Sequence, residues 1–233
     1  MPDLIEILYQ DEFLVAVNKP AGHLVHPARE PQPDDLVTMK IVRDQIGHRV
    51  YTIHRLDRPT SGVLLLGIDR SVSRQLHLAL EAHDFEKKYR AVVLGEAAEQ
   101  FWDCHEPIKK EDGAPVREAH TSFKVLDQLH SAKLENLGCQ EGTLGSSTLS
   151  LIEAIPHTGR FHQIRRHLLG CGLPIVGDYR YAGIKRSDLL CSTLGLGSRM
   201  MLQAKSLEIE HPVSKEKLFI EAPADPLFAQ CLA

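Results

Sequence analysis

Asp57 stands between Arg55 and Arg58 in HRLDRPTSGVLL, residues 54–65, just ahead of a Pro-Thr-Ser-Gly turn and an aliphatic run. If the strand before it is extended, this carboxylate and Arg55 can point into one cleft. The plainer reading is an Asx turn, in which the carboxylate accepts backbone N–H bonds as the chain reverses. A second awkward charge lies further on. If HTGRFHQIRRHLLGCG, residues 157–172, is helical, then Phe161, Ile164, Leu168 and Leu169 form one apolar stripe and Arg165 falls inside it. An inward guanidinium must be paired, because leaving it bare costs several kcal/mol. Otherwise it snorkels, with its stem on the apolar face and its head in water.

The elements that would position these charges follow from periodicity and punctuation. FLVAVNKPAGHLVHP alternates and is interrupted by Pro20, Gly22 and Pro27, which predicts short strands and turns. LVTMKIVRDQI, residues 36–46, has helical spacing and stops at Gly47. VYTIHRL and GVLLLGI are predicted strands on either side of the Asp57 turn. In an extended YTIHRLD, Tyr51, Ile53, Arg55 and Asp57 share one face. Asp69 is a predicted N-cap for a helix over RSVSRQLHLALEAHD. KKYRAVVLG reads as a strand with Lys87, Tyr89, Ala91 and Val93 on one side and Lys88, Arg90, Val92 and Leu94 on the other. Further strands are predicted in REAHTSFKVLDQL and STLSLIEAI, joined by an LGCQEGTLGSS loop, and in MLQAKSLEIEHP and KLFIEAP. No repeat or linker breaks the chain, so one α+β domain over residues 1–233, dominated by sheet, is expected.

Composition narrows the class. The 43% hydrophobic and 25% charged content is that of an ordinary globular protein. MPDLIEILYQDE lacks a basic, apolar leader, and no apolar run approaches membrane-spanning length, so a cytoplasmic location is expected. The five cysteines include no CxxC pair and read as reduced thiols. The net charge of −4 conceals an asymmetry: residues 157–186 hold six Arg or Lys against the single acid Asp178, whereas residues 99–153 hold ten acids against five bases. A locally basic face on an acidic body suits a phosphate-bearing partner, as it also suits an unevenly charged solvated surface. Of 13 histidines, His157, His162 and His167 are spaced by five residues, about 140° apart on a helix, which does not place neighbours on one face as a metal-binding i, i+4 pair would be. No metal is expected.

HRLDRPTSGVLLLG resembles the signature around the catalytic aspartate of RNA pseudouridine synthases of the RluA type. VNKPAGHLVHP, KKYRAVVLG and TGRFHQIRRHLLGCGLPIVGD resemble three further blocks of that family in the same order, over residues 5–223 and most weakly over 96–150. Four ordered blocks are far more specific than one motif. Two departures stand out: Gln203 occupies a position where the family often has His, and Ala182 is an extra residue before Gly183.

The resemblance implies a pseudouridine synthase catalytic fold, a mostly antiparallel mixed sheet with flanking helices and a central RNA-binding cleft, standing alone without an N-terminal S4 domain. It implies isomerisation of a flipped uridine without a cofactor. Asp57 would be the catalytic carboxylate, Tyr89 would pack on the uracil, and Arg165 would pair with Asp57 and keep it ionised. Arg55 would insert near the flipped nucleotide. Arg58, Lys87, Lys88, Arg160, His162 and Arg166 are the candidate RNA contacts. The motifs look most like those of members that act on the T-arm uridine at position 65 of tRNA. The alternatives are an RluA-like enzyme modifying an anticodon-loop uridine or ribosomal RNA, and a non-catalytic RNA-binding module. A monomer without an obligate protein partner is expected.

Overall fold

The computed structural model describes residues 4–135 and 144–232. Its elements in chain order are β1 (Ile7–Gln10), β2 (Leu14–Lys19), α1 (Thr38–Ile46), β3 (Tyr51–Thr52), β4 (Ser61–Gly67), α2 (Arg70–Glu81), β5 (Glu86–Leu94) and β6 (Phe101–Cys104). There follow β7 (Ile108–Lys109), β8 (Val116–Arg117), β9 (Thr121–His130), β10 (Thr148–Pro156), α3 (Gln163–Gly170), α4 (Ile184–Leu194), β11 (Leu202–Glu210), β12 (Lys217–Glu221) and α5 (Pro226–Cys231). Residues 137–143 of the expected LGCQEGTLGSS loop lie outside the described residues. The chain forms two compact units, Met1–Lys87 with Gln203–Pro223 and Lys88–Leu202 with Ala224–Ala233. Each is α+β, with a mainly antiparallel sheet and helices packed on it. Among the described residues no helix is long and apolar enough to cross a membrane.

In the first unit β4 is buried along its whole length, and both of its edges are occupied. β2 pairs with it antiparallel from Leu14↔Gly67 to Lys19↔Gly62. The opposite edge is shared, with β3 at Thr52↔Leu66 and β11 in parallel at Gln203↔Ser61 and Ala204↔Gly62. A strand whose alternate side chains are buried on both faces needs the near-continuous apolar run found here. Gly62 is obligatory at this crossing: its φ is +104, and a Cβ would fall 2.1 Å from the Ala204 carbonyl oxygen. The core of this unit gathers Leu14, Ala16, Val63, Leu65, Leu76 and Leu207. Asp69 caps α2 as its sequence predicts, accepting the Val72 N–H at 2.8 Å, and Gly47 ends α1 in the left-handed region.

One expectation fails here. The strand predicted over VYTIHRL is reduced to Tyr51–Thr52, so Tyr51, Ile53, Arg55 and Asp57 do not share one strand face. The cause is competition for β4: beyond Leu66 its edge passes to β11, and the intervening Leu65 N–H donates to the His54 imidazole at 3.0 Å instead of to a strand carbonyl. The backbone from Ile53 onward is released to form the loop that carries Asp57.

In the second unit β5, β10, β9 and β6 lie side by side, all antiparallel. The alternation read in KKYRAVVLG is realised in packing. Ala91 and Val93 join Ile164 and Leu168 of α3, while Val92 and Leu94 join Leu190 and Leu194 of α4 on the other face. The helix expected from His157 starts only at Gln163, because His162 takes the left-handed conformation (φ 53°) in a turn closed by Gln163 N–H donating to Arg160 O at 3.2 Å. Gln163 holds that turn. Buried, it accepts from Thr158 Oγ1 at 2.7 Å and Arg160 N at 2.9 Å, and donates to His120 O and Thr121 Oγ1, both at 2.9 Å. All four of its side-chain bonds are thereby made.

Candidate active site

Asp57 sits, half-buried, at the start of a reverse turn closed by Thr60 N–H donating to the Asp57 carbonyl at 3.0 Å. The turn is clamped from below. Lys19, fully buried at the end of β2, donates through Nζ to the carbonyls of Pro20 (2.8 Å), His23 (2.8 Å) and Arg58 (3.2 Å). An ammonium taken out of water is tolerable only when its protons find acceptors, and this one ties VNKPAGH to the Asp57 turn. Gly22 N–H donates to the same Arg58 carbonyl at 2.8 Å, and Arg58 Nε returns a bond to Gly22 O at 3.0 Å. Arg58 Nη1 lies 3.1 Å from Asp35.

His54 completes the support. Its Nε2 accepts the Leu65 N–H, so the ring must be neutral, and burial, helped by the Lys87 cation, pushes its pKa down to about 3. Burial also lowers the Lys87 ammonium. Arg55 is exposed beside the turn. Neither Lys19 nor His54 stands out in the sequence, because a clamp across 39 residues leaves no periodic trace.

The second unit contains the other charged centre. Arg165 is 5% and Asp178 2% exposed, and they form a bidentate pair, Nε to Oδ2 at 2.8 Å and Nη2 to Oδ1 at 2.7 Å. The guanidinium therefore faces inward and is paired; the snorkelling alternative is overturned, since burial of the whole side chain leaves its head no path to water. The Arg165 guanidinium lies 4.9 Å from the centroid of the Tyr181 ring. Asp178 is held in turn by the N–H groups of Arg180 and Tyr181, each 3.2 Å from Oδ1. Ala182 N–H closes the turn on the Asp178 carbonyl at 2.8 Å, so the extra alanine has a fold role. Gly177 permits the close pass before it: φ is +75, and a Cβ would lie 2.1 Å from Arg199 O. The sequence did carry one signal for Asp178, as the single acid among the bases of residues 157–186.

Tyr89 lies on β5 opposite Ala154, packed against the cluster that contains Ile164 and Leu168. Lys88 precedes it, half-buried. His162, stacked on Phe161 with ring centroids 3.7 Å apart, bonds the Tyr181 hydroxyl through Nδ1 at 2.9 Å. Arg160 donates to Glu118 O at 2.9 Å and Arg166 to Lys109 O at 2.6 Å, so both also tie loops to the fold. The structure thus groups Arg55, Asp57, Arg58 and Lys87 in the first unit and Lys88, Tyr89, Arg160, His162, Arg165 and Arg166 in the second. The evenly spaced histidines separate: His167 is buried against Thr121 Oγ1 and Glu106 O, His162 meets Tyr181, and His157 stacks on His120. Gln203 is buried and donates to Pro223 O at 3.1 Å.

A family model described as RNA pseudouridylate synthase matches residues 13–169, a span that begins just before β2 and ends within α3. A protein of Salmonella typhimurium named tRNA pseudouridine synthase C is 38% identical over 232 residues, covering 98% of this chain and 89% of its own. One of the same name from Pectobacterium carotovorum is 39% identical over 95% of this chain, which spans 60% of that protein's length. Among solved structures, human RNA pseudouridylate synthase domain containing 4 superposes with a TM-score of 0.72 at 25% identity, over 97% of this chain and 91% of that one.

Proposed function

The chain belongs to the RNA pseudouridylate synthase family, and from that premise we propose that it converts uridine to pseudouridine in tRNA, at the T-arm uridine at position 65, with Asp57 as the reacting carboxylate. The isomerisation breaks the C1′–N1 bond, turns the uracil over and joins C5 to C1′, so electrons balance without a redox partner. The target base must first leave its helix, and the exposed Arg55 beside the Asp57 turn is the side chain that enters the gap. Asp57 then acts on the sugar or the base as nucleophile and proton-transfer group. Tyr89 packs on the uracil, and Arg165, oriented by Asp178, supplies the positive charge of the reaction. Arg58, Lys87, Lys88, Arg160, His162 and Arg166 contact phosphate and ribose, positioning the RNA without reading its sequence.

The observation that carries this reading is the clamped turn. Lys19, Gly22 and His54 immobilise the backbone around Asp57, and a reacting carboxylate needs that precision within a fraction of an ångström. The relatives' names favour tRNA over ribosomal RNA. The protein is read as a cytoplasmic monomer with one catalytic domain. The test is incubation with unmodified tRNA transcripts, with pseudouridine mapped by carbodiimide adducts and primer extension. A single new stop in the T arm, absent with Asp57→Ala, is expected. A stop in the anticodon loop would overturn the position, and no stop on tRNA or ribosomal RNA would overturn the activity.

A further inference from the structure

Three neighbouring strands of the second unit end at the same place. β6 and β9 run antiparallel with Asp103 opposite Ser122 and Cys104 opposite Thr121, and β9 and β10 pair Thr121 with Pro156. His105 just after β6, His120 just before β9 and His157 just after β10 therefore emerge side by side. Strands about 4.8 Å apart bring their imidazoles into a ladder. His105 stacks on His120 with centroids 4.1 Å apart and planes 16° from parallel, and His120 stacks on His157 at 4.1 Å and 20°. His157 N–H also donates to His120 O at 3.0 Å, which locks the register.

We propose that Asp103, His105 and His120 form a binding site for a divalent transition ion of the zinc type, with Ser122 and His157 holding the carboxylate in place. One ligand atom from each of the three residues lies within 4.8 Å of the others, and Asp103 Oδ1 is already 2.8 Å from His120 Nε2. An ion bonded at about 2.0–2.2 Å to nitrogen and oxygen needs its donors only slightly further apart than that pair, so small side-chain rotations bring the set together. Two imidazoles and one carboxylate are a donor set suited to zinc, and the remaining coordination positions fall to solvent because Asp103 and His105 are exposed.

The surrounding bonds orient the ligands. Ser122 Oγ donates to Asp103 Oδ1 at 2.6 Å, and His157 Nε2 donates to Ser122 Oγ at 2.7 Å. Groups of this kind, one bond removed from an ion, fix ligand orientation and typically change affinity by about 10–100-fold when lost. At present Nε2 of His120 carries the proton shared with Asp103. Ligation at Nε2 displaces that proton, and one hydrogen bond is exchanged for two bonds to the ion. Joined this way, the ends of β6 and β9 are cross-linked, with β10 tied in through His157. The site shares no residue with those assigned to the isomerisation, so the two proposals stand or fall separately.

The test is equilibrium dialysis of untagged full-length protein against Zn²⁺, with cobalt(II) absorption as an independent report of imidazole ligation. The expected result is one Zn²⁺ per chain, affinity at least about ten-fold weaker in His105→Ala and in His120→Ala, and a metal-dependent rise in the unfolding midpoint that these two variants lack. Cys104→Ser/Cys171→Ser is the control for thiol binding and should leave affinity unchanged. Because His105 and Asp103 are exposed, circular dichroism of His105→Ala and Asp103→Asn should match the wild type. Absence of stoichiometric binding, equal binding by the histidine variants, or loss only in the cysteine control would each overturn the site.

Discussion

Asp57 and Asp178 lie in different units, each two positions from an arginine or tyrosine-bearing turn, and the protein treats them in opposite ways. Asp178 is held by its side chain: both oxygens engage Arg165, Oδ1 takes two further N–H groups, and 2% of the residue is exposed. Asp57 is held by its main chain, through Thr60 N–H on its own carbonyl and the Lys19 and Gly22 donors on that of Arg58, while its side chain remains half-buried. Full burial closes Asp178 to substrate, whereas the half-buried Asp57 stays accessible to one.

If that contrast is right, the two acids separate cleanly under substitution. Asp57→Asn should reduce pseudouridine formation, followed by tritium release from 5-tritiated uridine in tRNA, by at least about a thousand-fold, with urea stability within about 1 kcal/mol of the wild type. Retained turnover would remove Asp57 from the chemistry. Asp178→Ala strands a buried guanidinium and should cost about 3–5 kcal/mol in urea unfolding. A stable Asp178→Ala variant would show that the pair is not what anchors α3.

The clamp beneath Asp57 is the next contrast. Lys19→Met removes donors from three carbonyls and should cost about 2–4 kcal/mol, and it should lower turnover more than tRNA affinity, measured by filter binding, because the Asp57 turn loosens. Equal losses in both would point to general unfolding instead.

The smallest effect concerns His54. Its folded pKa, about 3, lies below its unfolded value, so below the unfolded pKa of about 6.5 the unfolded chain takes up a proton that the native ring refuses. Stability from this group is complete above that value and falls by about 1.4 kcal/mol per pH unit as the pH drops toward 3. His54→Gln, which can still accept the Leu65 N–H, should reduce the slope of unfolding free energy against pH, measured by urea titration between pH 6 and 4, by about 1.4 kcal/mol per pH unit. An unchanged slope would mean that His54 titrates alike in both states.

Much of the fold was legible because its signals are local. The Asp69 cap, the Gly47 stop and the two-faced alternation of Lys87–Leu94 each depend on residues within a turn or a strand of one another, and each is realised. The reading of 50–56 as a strand failed because whether a β-prone segment pairs depends on what else reaches the same edge, and β11 arrives there from about 140 residues downstream. A separation of 39 residues likewise hid Lys19 under Arg58.

By itself the sequence determined the ordered motifs, the carboxylate at Asp57 and the dilemma of an arginine on an apolar helix stripe, since residue type and short spacing are written directly in the chain. Tertiary structure decided the rest: that Arg165 is buried against Asp178, that Lys19 anchors the Asp57 turn, and that His105, His120 and His157 stand in a ladder. Those outcomes depend on strand pairing and burial, and these bring together side chains from distant segments whose partners no local pattern encodes.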